Sequence, residues 1–141
     1  MSKTYRAVLV GTGSICDAHL RAVESVSDRV ELVAAVDIDA ERVKTFCERS
    51  KVPQAFTDYS EMLKSVGPDL VLVATPPGTH ADMSIEAMEA GAWVLCEKPL
   101  CGSLAELDRI RDAEKRTGCY TGCVFQMRFA SSNLHLKRLA D

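Results

Sequence analysis

The stretch from Tyr5 to Asp39, YRAVLVGTGSICDAHLRAVESVSDRVELVAAVDID, limits the possible folds more than any other part of the chain. Ala7-Val8-Leu9-Val10 is an unbroken apolar run that stops at Gly11. Gly11-Thr12-Gly13 opens a segment in which Leu20, Val23 and Val26 recur at helical spacing. Leu32 to Val36 is a second apolar run, closed by Asp37. Apolar runs without alternation suit strands covered on both faces. Strand, glycine turn, helix and a second strand ending in an acid form the pattern by which parallel sheets hold a dinucleotide. Gly11 serves the tight turn, Gly13 lets the backbone approach a pyrophosphate, and the amides of Ser14, Ile15 and Cys16 face an anion at a helix start. Cys16 stands where a third glycine is usual, and its small side chain still allows close helix packing. Two turn glycines in an α/β domain without a nucleotide remain the alternative.

The same alternation continues downstream. Strands are expected at 5–10, 30–36, 54–56, 70–74, 93–96 and 119–125. Helices are expected at about 14–26, 40–50, from Asp58 to Val66, at 79–90, and from Ser103 to Thr117. Asp39 is placed to cap the second helix, and Ser103 with Glu106 reads as a capping box for the fifth. Strand–helix repetition with short links predicts a Rossmann-like, mostly parallel sheet with helices on both faces, three layers in all. After Phe125 the pattern changes: Gln126 to Phe129 leads to a last helix at 131–140 that completes no further strand–helix unit. Residues 1–125 therefore read as a dinucleotide-binding domain and 126–141 as a linker with the first helix of something else.

Composition narrows the function. The 141 residues carry 17 Lys and Arg against 20 Asp and Glu, a net charge of -3, which favours neither nucleic acid nor an acidic membrane as partner. No apolar run is long enough to span a bilayer, and the N-terminus lacks the pattern of a secretory signal, so the expected location is the cytoplasm. Of the six cysteines, Cys47 falls in an expected helix and Cys96 and Cys123 at the ends of apolar runs, where thiols pack as small hydrophobes, and reduced thiols are expected. The histidines, at 19, 80 and 135, are not spaced for a zinc site with them.

The residues suited to chemistry gather at expected strand ends. Asp37 can accept hydrogen bonds from the adenosine ribose, and its charge repels a 2′-phosphate, so NAD is favoured over NADP. Its other reading, as a helix cap, is better filled by Asp39. Thr75-Pro76-Pro77-Gly78 makes a rigid turn after the fourth strand: Thr75 can reach the pyrophosphate or nicotinamide ribose, and Pro76 and Pro77 shape a wall. His80 reads first as a residue that donates to a carbonyl and holds that turn, and second as a catalytic one. Glu97-Lys98-Pro99 follows the fifth strand. Lys98 there can donate to an alcohol oxygen and steady the charge that grows on it, with Glu97 orienting it or pairing with a ribose hydroxyl. A surface ion pair between them is the alternative. Pro99 suits a special peptide geometry, cis among the options. Arg128 serves either substrate or a neighbouring domain. Cys101, with no histidine evidently paired to it, is a poor nucleophile.

Taken together, GTGSICDAH at 11–19, Asp37, VATPPGTH at 73–80, CEKPL at 96–100 and VFQMRF at 124–129 resemble the N-terminal domain of the glucose–fructose oxidoreductase / inositol dehydrogenase family. The resemblance covers nearly the whole chain. It implies an NAD- or NADP-dependent oxidoreductase acting on a sugar, cyclitol or sugar nucleotide, transferring hydride between a secondary alcohol and nicotinamide. It also implies roles: Gly11, Thr12, Gly13, Ser14 and Ile15 at the pyrophosphate, Asp37 at the adenosine ribose, and Thr75, Pro76 and His80 along the cofactor loop. Glu97 falls at the nicotinamide ribose, and Lys98 is the catalytic residue at the substrate hydroxyl. Family members usually carry a larger C-terminal domain of open, mainly antiparallel sheet that supplies an Asp and a His. His135 sits too early to be that histidine. The expectation is a cofactor half without its general base, truncated at the start of the substrate domain, which binds cofactor without efficient turnover. Self-association through the face that domain normally covers is a further expectation. A non-enzymatic NAD(H)-binding sensor or scaffold module is the competing class.

Overall fold

In the computed structural model, which describes residues 3–140, strands and helices alternate along the chain. They are β1 (Tyr5–Val10), α1 (Cys16–Glu24), β2 (Val30–Val36), α2 (Ala40–Ser50), β3 (Gln54–Phe56) and α3 (Tyr59–Val66). Then follow β4 (Leu70–Val73), α4 (His80–Glu89), β5 (Trp93–Cys96), α5 (Leu104–Thr117), β6 (Thr121–Cys123) and α6 (Ser131–Ala140). Short 3-10 turns occupy Pro77–Thr79 and Gln126–Phe129. All pairings are parallel, in the order β3-β2-β1-β4-β5-β6. The chain leaves β1 in one direction to build β2 and β3 and returns to its other side for β4, so the strand order reverses between β1 and β4. A parallel sheet opens a crevice at the carboxyl ends of the strands where this reversal falls.

The period of two along each strand sorts the core into two layers. Val8, Val10, Val71, Val73, Val94 and Cys96 face one side, where Met62, Leu63, Met88 and Ile110 of α3, α4 and α5 cover them. Ala7, Leu9 and Leu72 face the other, against Cys16, Val23, Val43 and Phe46 of α1 and α2. β2 departs from strict alternation: Ala7 pairs with Leu32 but Val8 with Ala34, leaving Val33 as an extra residue. Val33 and Ala34 consequently pack into the same layer.

Three helices begin on side-chain caps. Asp39, Asp58 and Ser103 accept from the N–H groups of Arg42, Glu61 and Glu106 at the starts of α2, α3 and α5. The Glu106 carboxylate reaches back to the Gly102 N–H at 2.7 Å, one residue beyond the N-cap it was expected to serve. Asp82 and Glu89 on the exposed side of α4 pair with Arg109 and Arg116 of α5. These pairs are exposed and contribute little.

Some boundaries differ from expectation. α1 starts at Cys16 rather than Ser14, because Gly13 to Cys16 closes as a turn with Cys16 N–H on Gly13 O, and it ends at Glu24 before a tighter turn from Val26 to Val23. β4 stops at Val73 and α4 runs from His80 to Glu89, each a residue inside the expected limits. β6 covers 121–123 rather than 119–125, because its single neighbour β5 is four residues long and offers three paired positions. The Lys98–Pro99 peptide is cis, and all six cysteines are free thiols. Among the described residues no helix is long and apolar enough to cross a membrane.

Gly11 has φ of 91°, and a Cβ there would stand 2.7 Å from the Ala74 carbonyl oxygen and 2.9 Å from its carbon. Gly91 has a similar φ of 88° with nothing within 4 Å of the same added atom. The backbone conformation alone costs a non-glycine residue about 1–3 kcal/mol. Gly11→Ala should therefore destabilise the fold by more than Gly91→Ala does, as read by urea denaturation; equal losses would show that the contact with Ala74 is soft.

Candidate functional site

The carboxyl ends of β1, β2, β4 and β5 bring most of the singled-out residues to one edge of the sheet. The loops leave side by side because the ladder continues into them: Gly11 N–H donates to Val36 O, Ala74 N–H to Val10 O, and Glu97 N–H to Val73 O. Gly11-Thr12-Gly13 turns into α1, Asp37 ends β2, Thr75 and Pro76 follow β4, and Glu97 and Lys98 follow β5.

The glycine turn is clamped from β2. Asp37 Oδ2 accepts from Thr12 N–H at 2.8 Å and from the Thr12 hydroxyl at 2.9 Å, and its Oδ1 accepts from Asp39 N–H at 3.0 Å. Thr12 and Asp37 are both buried, while the Arg42 guanidinium lies 3.5 Å from Oδ2. Burial works to raise the Asp37 pKa. The Asp39 and Thr12 N–H groups, the Thr12 hydroxyl and Arg42 outweigh it, so the carboxyl titrates below the usual carboxylate range.

Beyond the clamp the turn is open. A Cβ on Gly13 would meet nothing within 4 Å, and Ser14 and Ile15 are exposed. Ile15 is the N-cap of α1 and cannot accept a hydrogen bond through its side chain. Among the described residues no acceptor takes the N–H of Gly13, Ser14 or Ile15. These amides at a helix start, with room for a ligand to approach, fit the pyrophosphate of a dinucleotide.

The loop after β4 is held from beneath. Thr75 shares a 2.7 Å hydrogen bond with the Thr79 hydroxyl, and the Thr79 hydroxyl donates to Pro76 O. His80 is 1% exposed, its Nδ1 2.7 Å from Pro99 O and its Nε2 2.7 Å from Thr75 O. Of the roles weighed for His80, holding the turn is the one these bonds describe; the ring lies behind the loop and also ties it to the turn at Pro99. Pro76 and Lys98 are exposed, and among the described residues no carboxylate pairs with Lys98. Glu97 is bound elsewhere: its Oε1 lies 3.1 Å from His19 Nε2, and its Oε2 accepts from the Lys98 backbone N–H at 3.3 Å. His19 and Arg42 were not singled out from sequence. Each sits on a helix facing a strand end that only folding brings near.

Arg128 is exposed in the 3-10 turn that follows β6, the strand paired with β5. Next to Asp37, Ile38 is 93% exposed and borders a shallow groove of about 420 Å³ that runs past Thr57, Asp58, Gly78 and Met83. A second hollow, about 460 Å³, lies at the opposite end of the strands beside Thr4, Leu20 and Val30, far from these residues.

Cys96 is fully buried beside Glu97, and burial pushes its thiol up to about 12. Burial also raises Cys123. Cys101 is half-buried and has no histidine among its hydrogen-bond partners.

A parallel sheet in this order, with an open helix start at its point of reversal and an acid ending β2, defines a nucleotide-binding domain of the Rossmann type. The chain belongs to the glucose–fructose oxidoreductase / inositol dehydrogenase family: residues 5–125 match the model of the oxidoreductase family with an NAD-binding Rossmann fold. It is 29% identical over 140 residues to inositol 2-dehydrogenase of Salmonella typhimurium, covering 98% of this chain and 42% of that one. It is 33% identical to inositol 2-dehydrogenase 3 of Saccharopolyspora erythraea, covering 98% and 41%. Among solved structures, the WlbA dehydrogenase of Chromobacterium violaceum, in complex with NADH and UDP-GlcNAcA, superposes with a TM-score of 0.92 at 32% identity, covering 98% of this chain and 40% of that one. The chain thus spans less than half the length of the relatives it matches.

Because the Asp37 pKa is depressed in the folded state, its contribution is present above the unfolded carboxylate pKa and is lost as pH falls through the folded value. Asp37→Asn sets an amide against the N–H donors and should cost about 1.5–3 kcal/mol at pH 7. The gap between the two proteins in urea denaturation should close on acidification below the usual carboxylate range. A gap unchanged down to pH 2 would mean that the charge does not hold the turn.

Proposed function

We propose that this chain is the cofactor-binding half of an NAD-dependent dehydrogenase acting on a polyol, sugar or sugar nucleotide. The observation that carries the reading is the shared edge: unpaired amides at the start of α1, Asp37 on one side and Glu97-Lys98 on the other, across the point where the strand order reverses. Gly11, Thr12, Gly13, Ser14 and Ile15 hold the pyrophosphate. Asp37 keeps lone pairs for the adenosine ribose beside the groove at Ile38. Thr75 and Pro76 line the path to the nicotinamide end, His80 supports them, and Glu97 meets the second ribose. NAD is preferred over NADP because a 2′-phosphate would meet the charge of Asp37, which Arg42 offsets only in part.

When bound, the nicotinamide ring supplies the hydride acceptor or donor. The chain's own part is positional and electrostatic. Lys98, exposed and without a carboxylate partner among the described residues, donates to the substrate oxygen, steadies its negative charge and relays its proton. Arg128 contributes to the substrate side. Residues 126–141 form a linker and the first helix of a substrate domain, a reading supported by the exposure of Phe125, Met127, Phe129, Leu136 and Leu139 and by the absence of any buried residue in α6. That apolar face also supports self-association of the chain on its own. Relatives of more than twice this length act on inositols, and one solved relative holds a sugar nucleotide.

Fluorescence titration of residues 1–141 should show NADH bound at least tenfold more tightly than NADPH, with Asp37→Asn narrowing the gap. Equal affinity would remove Asp37 from the ribose. In the same sample, inositols and sugar nucleotides should yield no efficient NAD reduction, because Pro76 and Lys98 at the nicotinamide end are left exposed to water among the described residues. Robust turnover would show that the chain is a complete catalyst, and NADH binding with no turnover by any longer form would favour a sensing module.

A further inference from the structure

His19 and Glu97 stand 78 positions apart in sequence and meet beneath the crevice. Their side chains are 7% and 12% exposed. A carboxylate only accepts, so His19 Nε2 carries the hydrogen of the 3.1 Å bond to Glu97 Oε1. The other oxygen, Oε2, has one weak protein donor, the Lys98 backbone N–H at 3.3 Å, and keeps lone pairs to spare. Among the described residues no lysine or arginine pairs with Glu97, so the imidazole is the one side chain that fixes this carboxylate. His19 is in the second turn of α1, the helix whose first amides are unpaired at the glycine turn. β5, which Glu97 directly follows, lies two strands away from β1 in the sheet, so the bond crosses the point where the strand order reverses.

We propose that His19 is a positioning residue for the nicotinamide half of the cofactor. It holds Glu97 in one rotamer, and so presents the remaining oxygen to the nicotinamide ribose and sets the backbone on which Lys98 stands. The inference rests on the cofactor reading above and adds to it a residue that touches neither cofactor nor substrate. Because the bond joins α1 to the turn after β5, the helix that meets the pyrophosphate also fixes the carboxylate that meets the second ribose. The two halves of the ligand are held through one rigid element. The consequence is selective: a ligand that ends at the pyrophosphate has no use for His19, whereas one that extends to the nicotinamide riboside does.

The test compares NADH with ADP, which carries the adenosine and both phosphates and nothing beyond. Wild type, His19→Ala, His19→Gln and His19→Asn are titrated with both ligands, with thermal melts to record folding. His19→Ala should weaken NADH roughly tenfold, the worth of a hydrogen bond to a charged group, and leave ADP within about twofold. His19→Gln, whose amide reaches the place of Nε2, should recover most of the NADH affinity. His19→Asn, which is shorter, should not. The glutamine–asparagine comparison stands even if the alanine variant fails to fold. Parallel losses for NADH and ADP would reduce His19 to a packing residue of α1 and overturn the proposal. So would unchanged NADH affinity in the alanine variant, or asparagine matching glutamine. A wild-type chain that binds neither ligand would overturn the cofactor reading itself, and the role of His19 with it; wild-type binding with parallel losses would remove the role of His19 alone.

Discussion

The contact between Gly11 and the Ala74 carbonyl sets the geometry on which the rest of this domain relies. β1 and β4 are neighbours in the sheet, and the chain leaves them toward opposite sides. The glycine turn can pass over the end of β4 only if it has no Cβ, because that atom would stand 2.7 Å from the Ala74 oxygen. The left-handed φ of 91° then carries the chain into α1 without lengthening the loop. A longer loop would move the start of α1 away from the strand ends. The open amides at Gly13, Ser14 and Ile15 would no longer share an edge with Asp37 and Glu97.

Capping divides the helices by task. α2, α3 and α5 begin on Asp39, Asp58 and Ser103, which satisfy their own first turns. α1 and α4 begin on Ile15 and Thr79 with no side-chain cap, and both start at the edge where the glycine turn and the Thr75 loop lie. At α4 the 3-10 turn takes up the N–H groups of Thr79 and His80 on Pro76 O and Pro77 O, so it is the start of α1 that keeps donors for a ligand. The polar groups that hold the edge are mostly buried and spoken for. Thr12 is bound to Asp37, His80 to Thr75 and Pro99, and His19 to Glu97. Lys98 is exposed and has no carboxylate partner among the described residues, which suits the substrate-facing role proposed for it.

What could be read in advance was what is local. Strand and helix identities, the caps at Asp39 and Ser103, and the glycine turn all follow from residues within about one turn of each other, where apolar period and capping chemistry act. The family followed from four short motifs and the acid at Asp37, in order. The errors were local as well. α1 begins two residues late because Ser14 is drawn into the turn, and β6 is short because its partner strand ends.

The sequence alone therefore determined an alternating α/β chain with a dinucleotide turn, an acid after the second strand and a lysine after the fifth. Only the tertiary structure decided that His19 holds Glu97, that His80 lies under its loop rather than on it, that Glu106 reaches Gly102, and that Val33 is an extra residue in β2. The reason is physical. Periodicity and capping act over a few residues, whereas a hydrogen bond between positions 19 and 97 exists only once parallel pairing has stacked β1, β4 and β5 side by side.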